Sequence, residues 1–198
     1  MLVVVTGLDG SGTSTIAEKI SKLDKGSLLR RTPGEEFSNR HEIDLALRNE
    51  SGVGHLLYYL SSVVAASDYI KKHFDYKNEN VYLVRYLIDT VVSHRVAGIP
   101  IDLDYNIYGD NLLVPDLTLF LKVDEKERQS RISKRGKDDL DKVLDDYDKR
   151  KRFLEEYDNL LLPEKTIIVE NSENPEIVAE KAYQKIKKYH QFNNNIQR

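Results

Sequence analysis

The stretch that most limits what this chain can become lies at its start. Residues 2–5, LVVV, form a short β-branched apolar run that leads directly into GLDGSGTST at residues 7–15. A run apolar at every position is the pattern of a strand covered on both faces, as in a parallel sheet. Behind it, Ile16, Ala17, Ile20 and Leu23 recur at helical spacing. A buried strand, a glycine-rich turn and a helix make up the phosphate-loop unit, whose sequence pattern is G-x-x-x-x-G-K-S/T. Residues 7–15 fit that pattern except at Thr13, where the lysine belongs.

What this loop retains can be separated from what it lacks. Glycines let the backbone curl so that successive N–H groups point at an anion, and the following helix adds the positive end of its dipole. Gly7, Asp9, Gly10, Ser11, Gly12, Thr13, Ser14 and Thr15 are therefore the candidate ATP phosphate cradle, and Ser14 has the hydroxyl that meets Mg²⁺ in such loops. Thr13 removes a mobile cation from the β- and γ-phosphates. Losing a contact that strengthens in the transition state costs on the order of 10²–10³ in rate. Nucleotide binding is expected to outlast fast turnover.

The rest of the chain supplies a matching frame. Strand patterns recur at residues 27–31, 81–84, 117–123 and 166–169, separated by helical patterns at 41–47, 53–74, 88–97 and 138–161. Asp124 with Glu127 three residues on, and Asn174 before Pro175, read as helix starts. Alternating strands and helices predict an α/β fold, here a three-layer α/β/α P-loop NTPase fold with a five-stranded parallel sheet. In such folds ligands sit beyond the carboxyl ends of the strands, where the loop after Val5 lies. Residues 1–190 read as one domain, and the polar residues 191–198, with three consecutive asparagines, as a flexible tail.

Composition narrows the function classes. Thirty basic residues against 33 acidic ones give a net charge of -3, so a general nucleic-acid binder is not expected and any cationic site must be local. Cysteine is absent, which excludes disulfides and thiolate metal sites. No apolar stretch approaches the roughly 20 residues that span a bilayer, and the N-terminus has no leader pattern. A cytoplasmic protein with no membrane partner is the expectation. The five histidines show no metal-ligand spacing, and His94 on an apolar helix reads as structural.

Several motifs in order resemble the thymidylate kinase family of P-loop nucleoside monophosphate kinases. LVVVTGLDGSGTSTIAEKI is similar to the family's opening, LLRRTPGEEF to its R-x-P-G segment, and VYLVRYLIDT to its strand ending in Asp-Arg-Tyr. PDLTLFLKVDEKERQSRISKRG resembles its P-D-L-T segment and the Arg-rich approach to a lid, placed at about residues 134–150. The resemblance implies ATP as donor, Mg²⁺, and a nucleoside monophosphate as acceptor, with a homodimer paired through residues 53–74 or 88–97. It assigns Arg31 and Arg85 to the acceptor phosphate, Asp9 to the acceptor sugar, and Tyr58, Ser62 and Tyr86 to the acceptor site. Arg131 and Arg135, four apart on one helix face, are the candidates to close over the transferred group in place of the missing lysine, within a cluster that includes Arg128, Lys134 and Lys137.

The departures from the family are informative. Val84 stands where the family has the Asp of Asp-Arg-Tyr, and Ser62 stands where it has a base-contacting arginine. LLYYLSSVVAASDYI, residues 56–70, is closer to the mitochondrial UMP/CMP kinase branch related to thymidylate kinase. Asp89 is a candidate replacement carboxylate, although on a helix it would face differently. Glu35 and Glu36 bring negative charge near the acceptor. The leading expectation is a kinase of a pyrimidine monophosphate (dTMP-like, or UMP, CMP or dUMP). The alternatives are a nucleotide-binding pseudoenzyme and a kinase of another phosphorylated metabolite.

Overall fold

The computed structural model describes residues 1–106, 111–136 and 142–196, with side chains as far as Phe192. Five strands form one parallel sheet in the order β2-β3-β1-β4-β5. They are β1 (Leu2–Gly7), β2 (Leu28–Arg31), β3 (Val81–Val84), β4 (Leu117–Lys122) and β5 (Thr166–Glu170). The described helices are α1 (Thr13–Leu23), α2 (Arg40–Glu50), α3 (Gly52–His73), α4 (Leu87–Val96), α5 (Glu125–Arg135), α6 (Tyr147–Leu160) and α7 (Pro175–Ile196).

The central strand shows why the sequence reads apolar at every position. All six residues of β1 are buried, and they divide by the two-residue period of a strand. Val3 and Val5 pack with Ile16 and Ile20 of α1 and with Val178 and Ile186 of α7. Leu2 and Val4 pack on the opposite face with Leu60 and Val63 of α3 and Val91 of α4. A third cluster joins Ile88 and Val92 of α4 to Phe120 of β4 and Tyr157 of α6. Burying one such side chain is worth about 1.5–3 kcal/mol, so both faces of β1 contribute to holding it at the centre.

Local signals set most helix ends. The Asp124 side chain accepts from the Glu127 N–H at 2.9 Å and starts α5, and Asn174 Oδ1 accepts from the Glu176 N–H at 2.8 Å at the start of α7. The single charged helix expected over 138–161 is different: Asp146 caps a new helix, accepting from the N–H groups of Asp148 and Lys149, so α6 begins at Tyr147. α7 continues to Ile196, beyond His190, where its polar composition suggested fraying. Among the described residues no helix is long and apolar enough to cross a membrane.

Because every strand is parallel, all five carboxyl ends lie along one edge of the sheet. The chain leaves β1, builds β2 and β3 on one side, then crosses to β4 on the other. A crevice opens at that reversal, beyond the end of β1.

Candidate active site

Residues 7–12 turn sharply at the end of β1, and the space around them explains their glycines. A Cβ on Gly7 would meet the Leu121 carbonyl oxygen at 2.6 Å, and one on Gly12 would meet Asn171 Nδ2 at 2.5 Å. Gly12 also has φ +90°, the left-handed conformation that side chains resist. Ser11 Oγ is buried with no partner, an orphaned polar atom inside the cradle. Such an atom is costly unless a ligand completes it, so the loop suits a bound phosphate.

Donors hold the loop carbonyls of Gly7, Leu8, Asp9 and Ser11. Ser11 N–H donates to the Leu8 carbonyl at 3.0 Å. Arg128 Nη1 donates to the Asp9 carbonyl at 2.9 Å, and Asn171 Nδ2 to the Ser11 carbonyl at 2.7 Å. Arg85 Nη1 donates to the Gly7 carbonyl. Arg131 donates to the carbonyls of Asn171 at 2.6 Å and, at the limit of reach, Ser11 at 3.5 Å. With its carbonyls held from outside, the loop is left free to direct N–H groups inward.

Thr13 is buried and shares the inward face of α1 with Ile16, Ala17 and Ile20, whereas Ser14 is exposed. Ser14 lines a cleft of about 370 Å³ together with Arg31, Glu35 and Val84. Among the described residues no three acidic or histidine side chains converge as a metal site. The exposed Ser14 hydroxyl is an oxygen donor of the kind Mg²⁺ accepts.

Across the cleft the cations are arranged differently. Arg31 ends β2, and burial followed by the charges of Arg40 and Arg85 lowers its pKa. Arg31 thus feels two neighbouring cations, and no acidic side chain pairs with it among the described residues. Arg85 follows β3 with φ +67°, a strained backbone for a residue with a side chain. Its Nη1 donates to Asp89 Oδ1 at 2.7 Å and Tyr157 OH at 3.2 Å, and its Nη2 to Asp9 Oδ1 at 2.7 Å. Burial alone would lower the pKa of Arg85; Asp9 and Asp89 reverse this and raise it.

Behind the arginines, Phe37 meets Tyr58 edge-on, with ring centroids 5.6 Å apart. Tyr58 OH is buried without a partner, and burial, only partly offset by Arg40, raises its pKa. A buried cluster fixes these helices. Asp44 accepts from Tyr59 OH at 2.8 Å and pairs with Arg48 and with His55 Nε2, the last at 2.7 Å. His55 Nδ1 lies 2.8 Å from His94 Nε2. Burial alone would raise the Asp44 pKa, but hydrogen bonds from His55 and Tyr59 and the charge of Arg48 bring it to about 2. His94 is a structural histidine, 2% exposed and bonded to the Thr90 carbonyl.

The structure brings the loop, Arg31 and Arg85 to one edge, sets Tyr58 on α3 against Phe37, and treats other expected residues differently. Ser62 is fully buried and donates to the Tyr59 carbonyl at 2.7 Å, so its hydroxyl is spent within its own helix. Tyr86 is 1% exposed in the core beneath α3, where burial pushes its pKa up to about 12. Arg131 braces the loop from outside, also pairing with Glu127 at 2.9 Å, and Arg135 is exposed at the end of α5. Glu36 pairs with Arg30 at 2.9 Å, which offsets its charge, whereas Glu35 faces the cleft. Lys137 lies outside the described residues, as does part of the expected lid. Sequence reasoning missed Phe37, Arg40, Tyr157 and Asn171. Only Asn171 carried a signal, as a polar residue directly after a strand at the ligand edge.

A parallel sheet whose central strand runs through a glycine-rich phosphate loop into a helix defines a P-loop NTPase fold. The family model "Thymidylate kinase" matches residues 5–182. The chain is 30% identical over 160 residues to the "Probable thymidylate kinase" of Methanococcus maripaludis, covering 80% of this chain and 76% of that protein. The chain belongs to the thymidylate kinase family. Two solved structures share its fold. Thymidylate kinase from Candida albicans has a TM-score of 0.69 at 18% identity, covering 96% of this chain and 92% of that one. Deoxyadenosine kinase from M. mycoides, solved with dCMP and dCDP as products, has a TM-score of 0.70 at 23% identity, covering 95% and 100%.

Proposed function

We propose that this protein is an ATP-dependent kinase of a pyrimidine nucleoside monophosphate. The observation that carries this reading is Arg31, which ends β2 in the cleft shared with Ser14, feels the charges of Arg40 and Arg85, and pairs with no acidic side chain among the described residues. Mutual repulsion is tolerated where a ligand's charge relieves it, and an acceptor phosphate brings two negative charges to that point. The loop on the other side of the crevice cradles the donor phosphates. Phosphoryl transfer consists mainly of positioning two anions and stabilising the charge between them, which this geometry serves.

Individual roles follow. Ser14 holds Mg²⁺, which supplies charge neutralisation on the donor, and the amides of residues 7–15 orient its phosphates. Arg31 and Arg85 hold the acceptor phosphate, Asp9 orients Arg85, and Tyr58 with Phe37 offers aromatic surface to the base. The family and its relatives' names support thymidine monophosphate as one acceptor. The buried Ser62, which leaves no cationic contact at the base, supports UMP, CMP and dUMP as well. We assign residues 1–190 to one cytoplasmic kinase domain with a lid at about 134–150. Pairing of two copies is better served by α3, which exposes Val53 and Leu57, than by the largely buried α4.

A second reading, a nucleotide-binding protein with little transfer, is favoured by one observation: Arg131, the expected stand-in for the lysine, is committed to Glu127 and to backbone carbonyls. ADP release measured over dTMP, dUMP, UMP, CMP, dCMP, AMP and GMP separates the two. The kinase reading expects ATP consumption that depends on a pyrimidine monophosphate, rising in Thr13→Lys. ATP binding without acceptor-dependent consumption across the whole panel, in both proteins, would leave the binding reading standing.

A further inference from the structure

Val84 ends β3 as an apolar, 4% exposed side chain, so no carboxylate stands at the position immediately before Arg85. A carboxylate nevertheless reaches Arg85 from the next helix. Asp89 lies in the first turn of α4, and its Oδ2 accepts from the Tyr86 N–H at 3.0 Å, which fixes the side chain across the helix start. Its Oδ1 accepts from Thr6 Oγ1 at 2.5 Å, Arg85 Nη1 at 2.7 Å and Tyr157 OH at 3.0 Å. These donors come from β1, the β3–α4 junction and α6, so one carboxylate joins three elements behind the crevice.

Counting donors and acceptors shows what this arrangement does. Four donors converge on Asp89, three of them on Oδ1, which holds the carboxylate in one orientation. Arg85 has five N–H groups. Nη1 is taken by the Gly7 carbonyl, Asp89 and Tyr157, and one proton of Nη2 by Asp9. Nε–H and one Nη2 proton are left as donors for an oxyanion. The left-handed backbone of Arg85 gives its side chain an unusual exit, and the Asp89 side of the guanidinium is the more enclosed anchor: Asp89 is 12% exposed and Asp9 41%.

We infer that Asp89, supported by Thr6 and Tyr157, is the positioning residue that aims the free edge of Arg85 at the acceptor phosphate. The inference rests on the proposal that Arg85 binds that phosphate. Asp89→Asn is nearly isosteric, but it removes the charge facing Arg85 and sets an amide NH₂ or a lone acceptor where two sides both need acceptors. Misaiming a binding group by about an ångström costs up to roughly 100-fold.

Calorimetric titration of dTMP, UMP, CMP and dUMP into wild type, Arg85→Ala, Asp89→Asn and the double variant tests this, with ATP titrated as an internal reference. Asp89→Asn is expected to weaken the best-bound monophosphate on the order of 10-fold while ATP affinity changes far less. The double variant is expected to bind no more weakly than Arg85→Ala, because Asp89 acts through Arg85. Tyr157→Phe keeps the ring packed on Phe120 and removes one support, so a smaller loss that vanishes in the Arg85→Ala background is expected even if Asp89→Asn folds poorly. Unchanged affinity in both Asp89→Asn and Tyr157→Phe beside a weakened Arg85→Ala, or losses that add in the double variant, overturns the inference alone. Failure of wild type to bind dTMP, UMP, CMP or dUMP, or full affinity in Arg85→Ala, overturns the reading of Arg85 beneath it.

Discussion

The two sides of the crevice use arginine for opposite purposes. On the loop side, Arg128 is 1% exposed, pairs with Glu125 through both Nε and Nη2, and still donates to the Asp9 carbonyl. Arg131 pairs with Glu127 and donates to carbonyls around the loop. Their charges are neutralised internally, and their hydrogen bonds hold the backbone in shape. On the acceptor side, Arg31 lies near Arg40 and Arg85 with no acidic partner among the described residues, while Arg85 combines both uses, paired with Asp9 and Asp89 yet keeping N–H groups to spare. A charge already paired contributes to structure, whereas one kept unpaired at some cost is available to a ligand. Sequence spacing cannot tell these two uses apart.

The largest expected effect is on the loop side. Arg128→Met removes a buried cation, takes the donor from the Asp9 carbonyl, and leaves Glu125 to Gln129 and Arg150 and the Leu144 carbonyl to Arg150. Breaking a buried pair costs about 3–5 kcal/mol, and the partial exposure of Glu125 reduces this to about 2–3 kcal/mol. Thermal denaturation should show a Tm lower by roughly 5–10 °C, with weaker ATP binding. A Tm within a degree of wild type would mean that Arg128 is not the structural brace described.

The acceptor side can be tested without mutation, because its helices are fixed by the Asp44 cluster. The folded pKa of Asp44, about 2, lies below its unfolded value of 3.8. Its stabilisation is therefore complete above the unfolded value and is lost as pH falls through the folded one. Denaturant titrations between pH 5 and 2 should lose about 2 kcal/mol from this group. In Asp44→Asn that share of the acid dependence should be absent; an unchanged acid profile would rule out the cluster as its source.

The smallest effect on stability is the most diagnostic of function. Arg31→Ala removes a cation from a repulsive set, so the Tm should stay within about 1 °C of wild type or rise slightly. The KM for the monophosphate should rise roughly 10-fold while that for ATP holds. A destabilised Arg31→Ala with an unchanged acceptor KM would erase the contrast between the two sides.

Much of the frame was legible from residue order. The apolar run of β1 with the glycine turn behind it, and the caps at Asp124 and Asn174, act through near neighbours in the chain, so they survive as sequence signals. Arg31 and Arg85 were legible through the resemblance of LLRRTPGEEF and VYLVRYLIDT to family motifs, and in the structure each directly follows or ends a strand, which puts it at the ligand edge. Arg40, Tyr157 and Asn171 are far from the loop in sequence, and only packing of α2, α6 and β5 brings them into reach. The expected role of Arg131 changed for the same reason. Its spacing from Arg135 describes one helix face, while the direction of that face depends on how α5 packs against the loop.

The sequence by itself determined that this chain would fold as a strand–loop–helix nucleotide cradle without a lysine, because backbone conformation and periodicity are local properties. Tertiary structure decided which of its charges are spent and which are held ready. Asp89 shows the difference. Its place on a helix, five residues after Val84, gave little reason to link it to the crevice. The close approach of β1, α4 and α6 turns its carboxylate onto Arg85, through hydrogen bonds that depend on distances in space, which spacing along the chain does not fix.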